Sequence, residues 1–219
     1  MLRIYFVRHG QTDWNSLKKL QGQQDASLNE LGVRQSQAAA KRLKNVPLEA
    51  IYASDLTRAR QTAQAINTYH NLPLLQRPHL RERCFGIFEG HTIEQCTKRH
   101  PDVRAAYERD RLGYKIPEGE SYLEFTCRVG AFFEVLRKEH GEQTIAVVAH
   151  GGVLGAAFSH IVSQQMNLAS PPFLPLFAVG NCSISQLQHK EGRWLVHSLN
   201  QTDHLSGLVG DDRPAEEYA

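Results

Sequence analysis

Two histidines in this chain stand at the ends of short apolar runs, and each is followed by glycine. Residues 4–7 lead into Arg8-His9-Gly10, and residues 145–149 lead into His150-Gly151-Gly152. Imidazole changes charge near neutral pH, so it can act as nucleophile, base or cation under cellular conditions. A following glycine lets backbone approach a ligand closely. Arg8 adds a planar fork matched to phosphate oxygens. A third run, 50–54, opens into Ser54-Asp55-Leu56-Thr57-Arg58-Ala59-Arg60. That spacing places Arg58 in the first turn of a helix, where free N–H groups and the helix dipole already favour an anion. The segment Leu80-Arg81-Glu82-Arg83-Cys84-Phe85-Gly86 contributes a carboxyl group in a loop. Imidazoles, guanidiniums and one carboxyl group, brought together, suit a phosphate dianion.

The elements that must position these groups follow from hydrophobic pattern. Strands are expected over 3–7, 50–54 and 144–149, each a brief apolar run ending in polar residues or glycine. Helices are expected over 30–44, 57–69 and 121–140. Asn29 is the N-cap of the first, with Leu31, Ala38, Ala39 and Leu43 facing the sheet, and Ser54 or Asp55 caps the second. Ser121 opens the third, which buries Phe125, Val129, Phe132, Phe133 and Leu136. Strands alternating with helices imply right-handed crossovers, a mostly parallel sheet and a three-layer α/β/α architecture. Residues 182–188 and 194–199 flank Lys190-Glu191-Gly192 and read as a hairpin, hence an antiparallel edge strand. In such sheets ligands bind beyond the carboxyl ends of the strands, which is where both histidines fall.

The chain of 219 residues suits one domain, expected over 1–205, with 206–219 as a mobile tail. With 25 Lys and Arg against 23 Asp and Glu, the net charge of +2 argues against a polyanion-coating protein. No basic stripe is interleaved with aromatics, so no nucleic-acid partner is expected. The first nine residues are too short an apolar run for a signal peptide, and no stretch is long enough to span a bilayer. The expectation is a cytoplasmic protein with no membrane partner. Cys84, Cys96, Cys127 and Cys182 lack metal-site or CxxC spacing and read as free thiols. No aspartate cluster, His-x-x-x-His pair or Cys/His zinc spacing is present, so no metal and no cofactor are expected.

Five motifs occur in order: Arg8-His9-Gly10; Ser54-Asp55-x-x-Arg58-Ala59-x-Gln61-Thr62-Ala63; Leu80-Arg81-Glu82-x-x-Phe85-Gly86; Pro117-x-Gly119-Glu120-Ser121; and His150-Gly151-Gly152. Together they resemble the histidine phosphatase superfamily, and within it the phosphoglycerate mutase-like phosphatase branch, from about residue 2 to about 205. The resemblance implies a phosphoglycerate mutase-like fold and a phosphohistidine intermediate on His9. It implies that Arg8, Arg58 and His150 hold the phosphoryl group and that Glu82 donates and accepts the proton. Asn15 and the Gln21-Gly22 turn match positions that line the phosphate pocket, and Gly151 offers a backbone N–H. The 181–184 stretch, Asn-Cys-Ser-Ile, also matches but is assigned no catalytic role.

The function this implies is metal-independent hydrolysis of a small phosphomonoester, the guanidiniums replacing a divalent ion. A phosphoglycerate mutase is the alternative. Mutases of the superfamily usually carry a longer insertion after the glutamate motif, with a Gly-Leu-Asn-Lys stretch. Here Phe85-Gly86-Ile87-Phe88-Glu89-Gly90 runs directly into His91-Thr92-Ile93. A non-catalytic phospho-ligand scaffold would lack a nucleophile or proton donor, yet His9 and Glu82 are both present. Simpler readings exist for single residues: Glu82 as a surface partner of Arg81 or Arg83, Arg60 as an exposed helix arginine, and the other histidines as structural. Residues 84–120 are a candidate lid over the pocket. Its 91–117 stretch is either a solvated face or a surface whose Arg104 and Arg109 read an anionic part of the substrate. The expected partner is a small phosphorylated metabolite, and the hairpin edge offers a surface for a homodimer.

Overall fold

The structure, a computed structural model, describes residues 1–165 and 178–208. In chain order the elements are β1 (Leu2–Arg8), α1 (Asp13–Ser16), α2 (Glu30–Leu43), β2 (Ala50–Ala53), α3 (Thr57–Asn67) and β3 (Leu74–Gln76). They continue with α4 (Ile93–Arg99), α5 (Pro101–Arg109), α6 (Tyr122–Glu139), β4 (Thr144–Ala149), α7 (Gly151–Gln165), β5 (Ile184–Lys190) and β6 (Arg193–Gln201). The six strands form one sheet in the order β3-β2-β4-β1-β5-β6. β1, β2, β3 and β4 run parallel, while β5 pairs antiparallel with β1 and β6 antiparallel with β5.

Strand side chains alternate between two apolar layers. Ile4, Phe6, Ile145, Val147 and Ala149 join the buried faces of α6 and α7. Val7, Ile51, Ala146 and Val148 join α2 and α3. Burying one such aliphatic or aromatic side chain contributes roughly 1.5–3 kcal/mol, so these two faces dominate the fold. The five residues expected to face inward from α6 are all buried. Ser121 caps it, its side chain accepting from Glu124 N at 3.1 Å in a reciprocal capping box. Asn29 caps α2 as expected, accepting from Gly32 N at 2.9 Å.

The face of α2 differs from the expected one. Ala39 and Leu43 are buried, but so are Gly32, Gln35, Ser36 and Ala40, whereas Leu31 and Ala38 are only half-buried. Tertiary contacts rotate the helix: Gln35 Oε1 accepts from Gln11 N at 2.9 Å, and a side chain at position 32 would collide with the Gln11 carbonyl. The cap of α3 also differs. Neither Ser54 nor Asp55 caps it; its N-cap is Leu56, and Asp25 from a distant loop accepts from Thr57 N at 2.6 Å.

The hairpin turns at Glu191 and Gly192, whose φ values of +51° and +76° match a tight turn that follows strand twist. β6 is the outermost strand and exposes Leu195, Val196 and Leu199. α4 and α5 rest on a separate small core of Leu20, Phe85, Phe88, Cys96, Tyr107 and Ile116. Of the segment expected to be a tail, Leu208 packs against the α2–α3 layer, and Gln35 Nε2 donates to its carbonyl at 3.0 Å. Residues 209–219 lie outside the described residues.

Candidate active site

β1 and β4 are hydrogen-bonded neighbours in parallel register, with Arg8 opposite Ala149. The residue after each strand is a histidine, so His9 and His150 leave the sheet side by side. Their ring centroids are 5.1 Å apart at an interplanar angle of 61°. His9 N–H continues the ladder to the Ala149 carbonyl at 2.9 Å. Its ring is set by Nδ1–H donating to the Gly10 carbonyl at 2.7 Å. A carbonyl can only accept, so the proton sits on Nδ1 and Nε2 keeps its lone pair. The backbone on either side is also held. Gly10 N donates to Thr62 Oγ1 at 3.1 Å, Asn181 Nδ2 to the His9 carbonyl at 2.9 Å, and Cys182 N to the Arg8 carbonyl at 3.0 Å.

Arg58 is fully buried in the first turn of α3. Its two terminal nitrogens donate to the Gly22 carbonyl at 2.7 Å and the Gln24 carbonyl at 2.8 Å. Arg8 is anchored through Nη1 to the Val179 carbonyl at 2.6 Å. Burial, then Arg58 and Arg8, hold the His9 ring well below the usual imidazole range, against a smaller opposing effect of the Gly10 carbonyl. For His150 burial again acts first, followed by Arg58, His9, Arg8 and Arg128, and the direction is the same. Both rings are therefore neutral at pH 7. Among the described residues neither ring nitrogen of His150 has a hydrogen-bond partner, although the residue is fully buried. A buried imidazole left this way among cations is matched by an anion that binds there.

Glu82 faces the same place from the loop after β3. Its Oε2 accepts from Gly152 N at 3.0 Å, in the first turn of α7, and its Oε1 from Arg83 N at 2.9 Å. It is buried, and Arg81 is engaged elsewhere, in a two-bond pair with Asp55 at 2.8 and 2.6 Å. Arg128 from α6 clamps the loop. Its Nη1 donates to the His79 and Arg81 carbonyls, its Nη2 to the Glu82 carbonyl, and Nη2 pairs with Glu120 at 2.6 Å. The Glu89 carboxylate ties this loop to the 21–24 turn, accepting from Gln23 N and Phe85 N, both at 3.0 Å.

The structure thus brings Arg8, His9, Arg58, Glu82 and His150 to one end of the sheet. The other expected residues lie beside them in supporting positions. Asn15 Oδ1 accepts from Thr12 N at 3.0 Å in the cap of α1, and Gln21 Oε1 accepts from Thr12 Oγ1 at 3.0 Å. Gly22, at φ +51°, turns its carbonyl toward Arg58; a side chain there would run into Glu89. Gly151 opens α7 against Arg8. Sequence reasoning did not single out Thr62, Glu89, Arg128, Gly152 or Asn181 as members of the site. Each acts through backbone contacts across long sequence distances, and only the motif residues Thr62, Gly152 and Asn181 carried a sequence signal. In the 91–117 segment, Arg104 and Arg111 both pair with Glu108. Among the described residues, no group of His, Cys, Asp or Glu is arranged to hold a metal ion, and no helix is long and apolar enough to cross a membrane.

The model of the histidine phosphatase superfamily (branch 1) matches residues 4–202. A probable phosphoglycerate mutase GpmB from Yersinia pestis (strain Pestoides F) is 33% identical over 210 residues, covering 94% of this chain and 95% of that protein. The crystal structure of an alpha-ribazole phosphatase from Shigella flexneri superposes with a TM-score of 0.81 at 25% identity, over 91% of this chain and 96% of that one. A mycobacterial glucosyl-3-phosphoglycerate phosphatase gives a TM-score of 0.75 at 30% identity, over 91% and 99%.

Proposed function

Given that the chain belongs to the histidine phosphatase superfamily (branch 1), we propose that it hydrolyses a small phosphomonoester through a phosphohistidine on His9. The observation that carries this reading is the ring of His9: Nδ1–H is committed to the Gly10 carbonyl, so Nε2 presents a lone pair beside His150 and among Arg8 and Arg58. In the first step Nε2 attacks phosphorus, the P–O bond to the alcohol breaks, and Glu82 gives its proton to the departing oxygen. In the second, the Glu82 carboxylate takes a proton from water while that oxygen attacks phosphorus. The P–N bond breaks, its electron pair returns to Nε2, and phosphate leaves. Charge gathering on the equatorial oxygens is met by fixed guanidiniums and by the Gly151 N–H at the start of α7, which need no reorganisation during the reaction. Those cations fill the role a divalent ion plays elsewhere, which supports metal-independent turnover.

The test is release of inorganic phosphate from para-nitrophenyl phosphate in EDTA, compared with His9→Ala. Turnover in the wild-type protein, abolished by the substitution, is expected; a requirement for added metal contradicts the mechanism. A mutase reading is favoured by the relatives named as probable phosphoglycerate mutases. It predicts that 3-phosphoglycerate yields 2-phosphoglycerate, whereas the phosphatase reading predicts glycerate and phosphate.

A further inference from the structure

One carboxylate joins the two loops on which the proposed chemistry depends, although no step of that chemistry uses it. Glu89 Oε1 accepts from Phe85 N and from Gln23 N, both at 3.0 Å. The first donor belongs to the loop that carries Glu82. The second belongs to the 21–24 turn, whose carbonyls anchor Arg58: Gly22 O lies 2.7 Å from Nη2 and Gln24 O lies 2.8 Å from Nη1. Gln23 N and the Gly22 carbonyl are two ends of one peptide group. Glu89 therefore grips the N–H end of the unit whose oxygen end grips Arg58. A peptide is planar, so it cannot swing away from the guanidinium without giving up the carboxylate as well. Gly22 leaves room for this approach, since a side chain at that position would collide with Glu89 Oε1.

Further bonds stitch the same two loops together. Gln23 Nε2 donates to the Glu82 carbonyl at 3.2 Å, Gly90 N to the Leu20 carbonyl at 2.8 Å, and Leu20 N to the His91 carbonyl at 2.9 Å. The turn that aims the buried cation and the loop that carries the proton donor form one unit, with the Glu89 carboxylate between them. We propose that Glu89 is a positioning residue for both halves of the reaction, holding Arg58 toward the phosphoryl group and Glu82 toward the leaving oxygen. Fixed donors lower a barrier only if they already point where charge develops, and a misplacement of about 1 Å costs about a hundredfold in rate. Hydrogen bonds that run in series through one peptide group also strengthen each other, so losing the carboxylate weakens the grip on Arg58 directly.

The inference rests on the roles proposed for Arg58 and Glu82, and the experiment reads it both with and without turnover. Glu89→Met keeps the bulk and removes the acceptor; Glu89→Gln restores an acceptor oxygen. In Glu89→Met the Kd for vanadate is expected to rise about tenfold, because Arg58 loses its fixed aim. Phenyl phosphate and para-nitrophenyl phosphate differ little in shape, but phenoxide is the stronger base and needs the proton more. In Glu89→Met kcat/KM should therefore fall about tenfold for the nitrophenyl ester and about a hundredfold for the phenyl ester. Glu89→Gln should recover each value to within about threefold. Equal losses on both esters with vanadate binding unchanged, as a merely structural role gives, overturn the proposal. So does a glutamine variant that recovers nothing. Should Glu89→Met fail to fold by circular dichroism, Glu89→Asp, which withdraws the oxygens by one methylene, is read in the same way. If the wild type hydrolyses neither ester, the phosphatase reading fails, and amide hydrogen exchange decides the coupling. Exchange that quickens together over 20–24 and 82–86 in Glu89→Met, and slows again in Glu89→Gln, supports it; a change in neither segment, or in one alone, overturns it.

Discussion

At the residue scale the site depends on keeping imidazoles neutral among cations until an anion arrives. His9 and His150 are both buried, and both are held well below the ordinary imidazole value of about 6.5. The unfolded chain binds protons on these rings below that value, and the folded chain does so only at lower pH. Stability is therefore complete above about pH 6.5 and is lost as the pH falls below it, by at most about 1.4 kcal/mol per pH unit for each ring. Urea unfolding at pH 7, 6 and 5 should show this decline, and it should be smaller in His150→Asn; a flat profile in the wild type would refute the neutral, buried assignment. In the proposed mechanism Glu82 moves protons and does not hold phosphate; its two oxygens accept from Gly152 N and Arg83 N. Glu82→Gln should keep vanadate binding while turnover drops by about 10²–10⁴. Near wild-type hydrolysis in that variant would remove the role.

At the element scale, adjacency of β1 and β4 does most of the positioning. A parallel pair in register ends together, so a histidine immediately after each strand arrives at the same edge. Those strands, the helices α2, α3 and α6, and the hairpin were legible because each has a clean apolar period or a strong cap or turn residue. α7 was not: it is apolar on almost every face, so no amphipathic period marks it. β3 has only three residues, and α4 and α5 are short and rich in charge. The site showed the same division. Arg8, His9, Arg58, Glu82 and His150 stand out by type and spacing, whereas Arg128 clamps a loop 46–49 positions away through carbonyls that leave no trace in the sequence. The buried face of α2 also escaped the pattern, because polar Gln35 and bare Gly32 are there to meet the Gln11 backbone. Gly32→Ala would force a methyl group onto that carbonyl. It should destabilise the fold by about 1–3 kcal/mol and lower kcat by displacing the loop after His9. Thermal melts with parallel para-nitrophenyl phosphate assays check both, and an unchanged melt would show that the contact yields freely.

At the scale of the whole molecule, the sheet gathers one group from almost every segment of the described chain to its carboxyl edge. The first strand supplies Arg8 and His9, the second crossover Arg58, the loop after β3 Glu82, the central strand His150, and the 181–182 turn the bonds that fix the nucleophile's backbone. Helices on both faces shut water out of the layer beneath, so the cations act in a medium that screens them weakly. Tyr107 of the small core under α4 and α5 accepts from Arg83 Nη1 at 3.3 Å, one residue from Glu82. The proposed hydrolysis has one chemical consequence that stands apart from substrate identity: the phosphoryl group must pause on residue 9. Rapid acid-free quenching during turnover of a ³²P-labelled ester, followed by peptide mapping, reads this directly. Label is expected that is stable to base, lost in acid, carried by the peptide containing His9, and missing from His9→Ala. Steady turnover with no label on the protein, or label on another residue, would contradict a phosphohistidine at position 9.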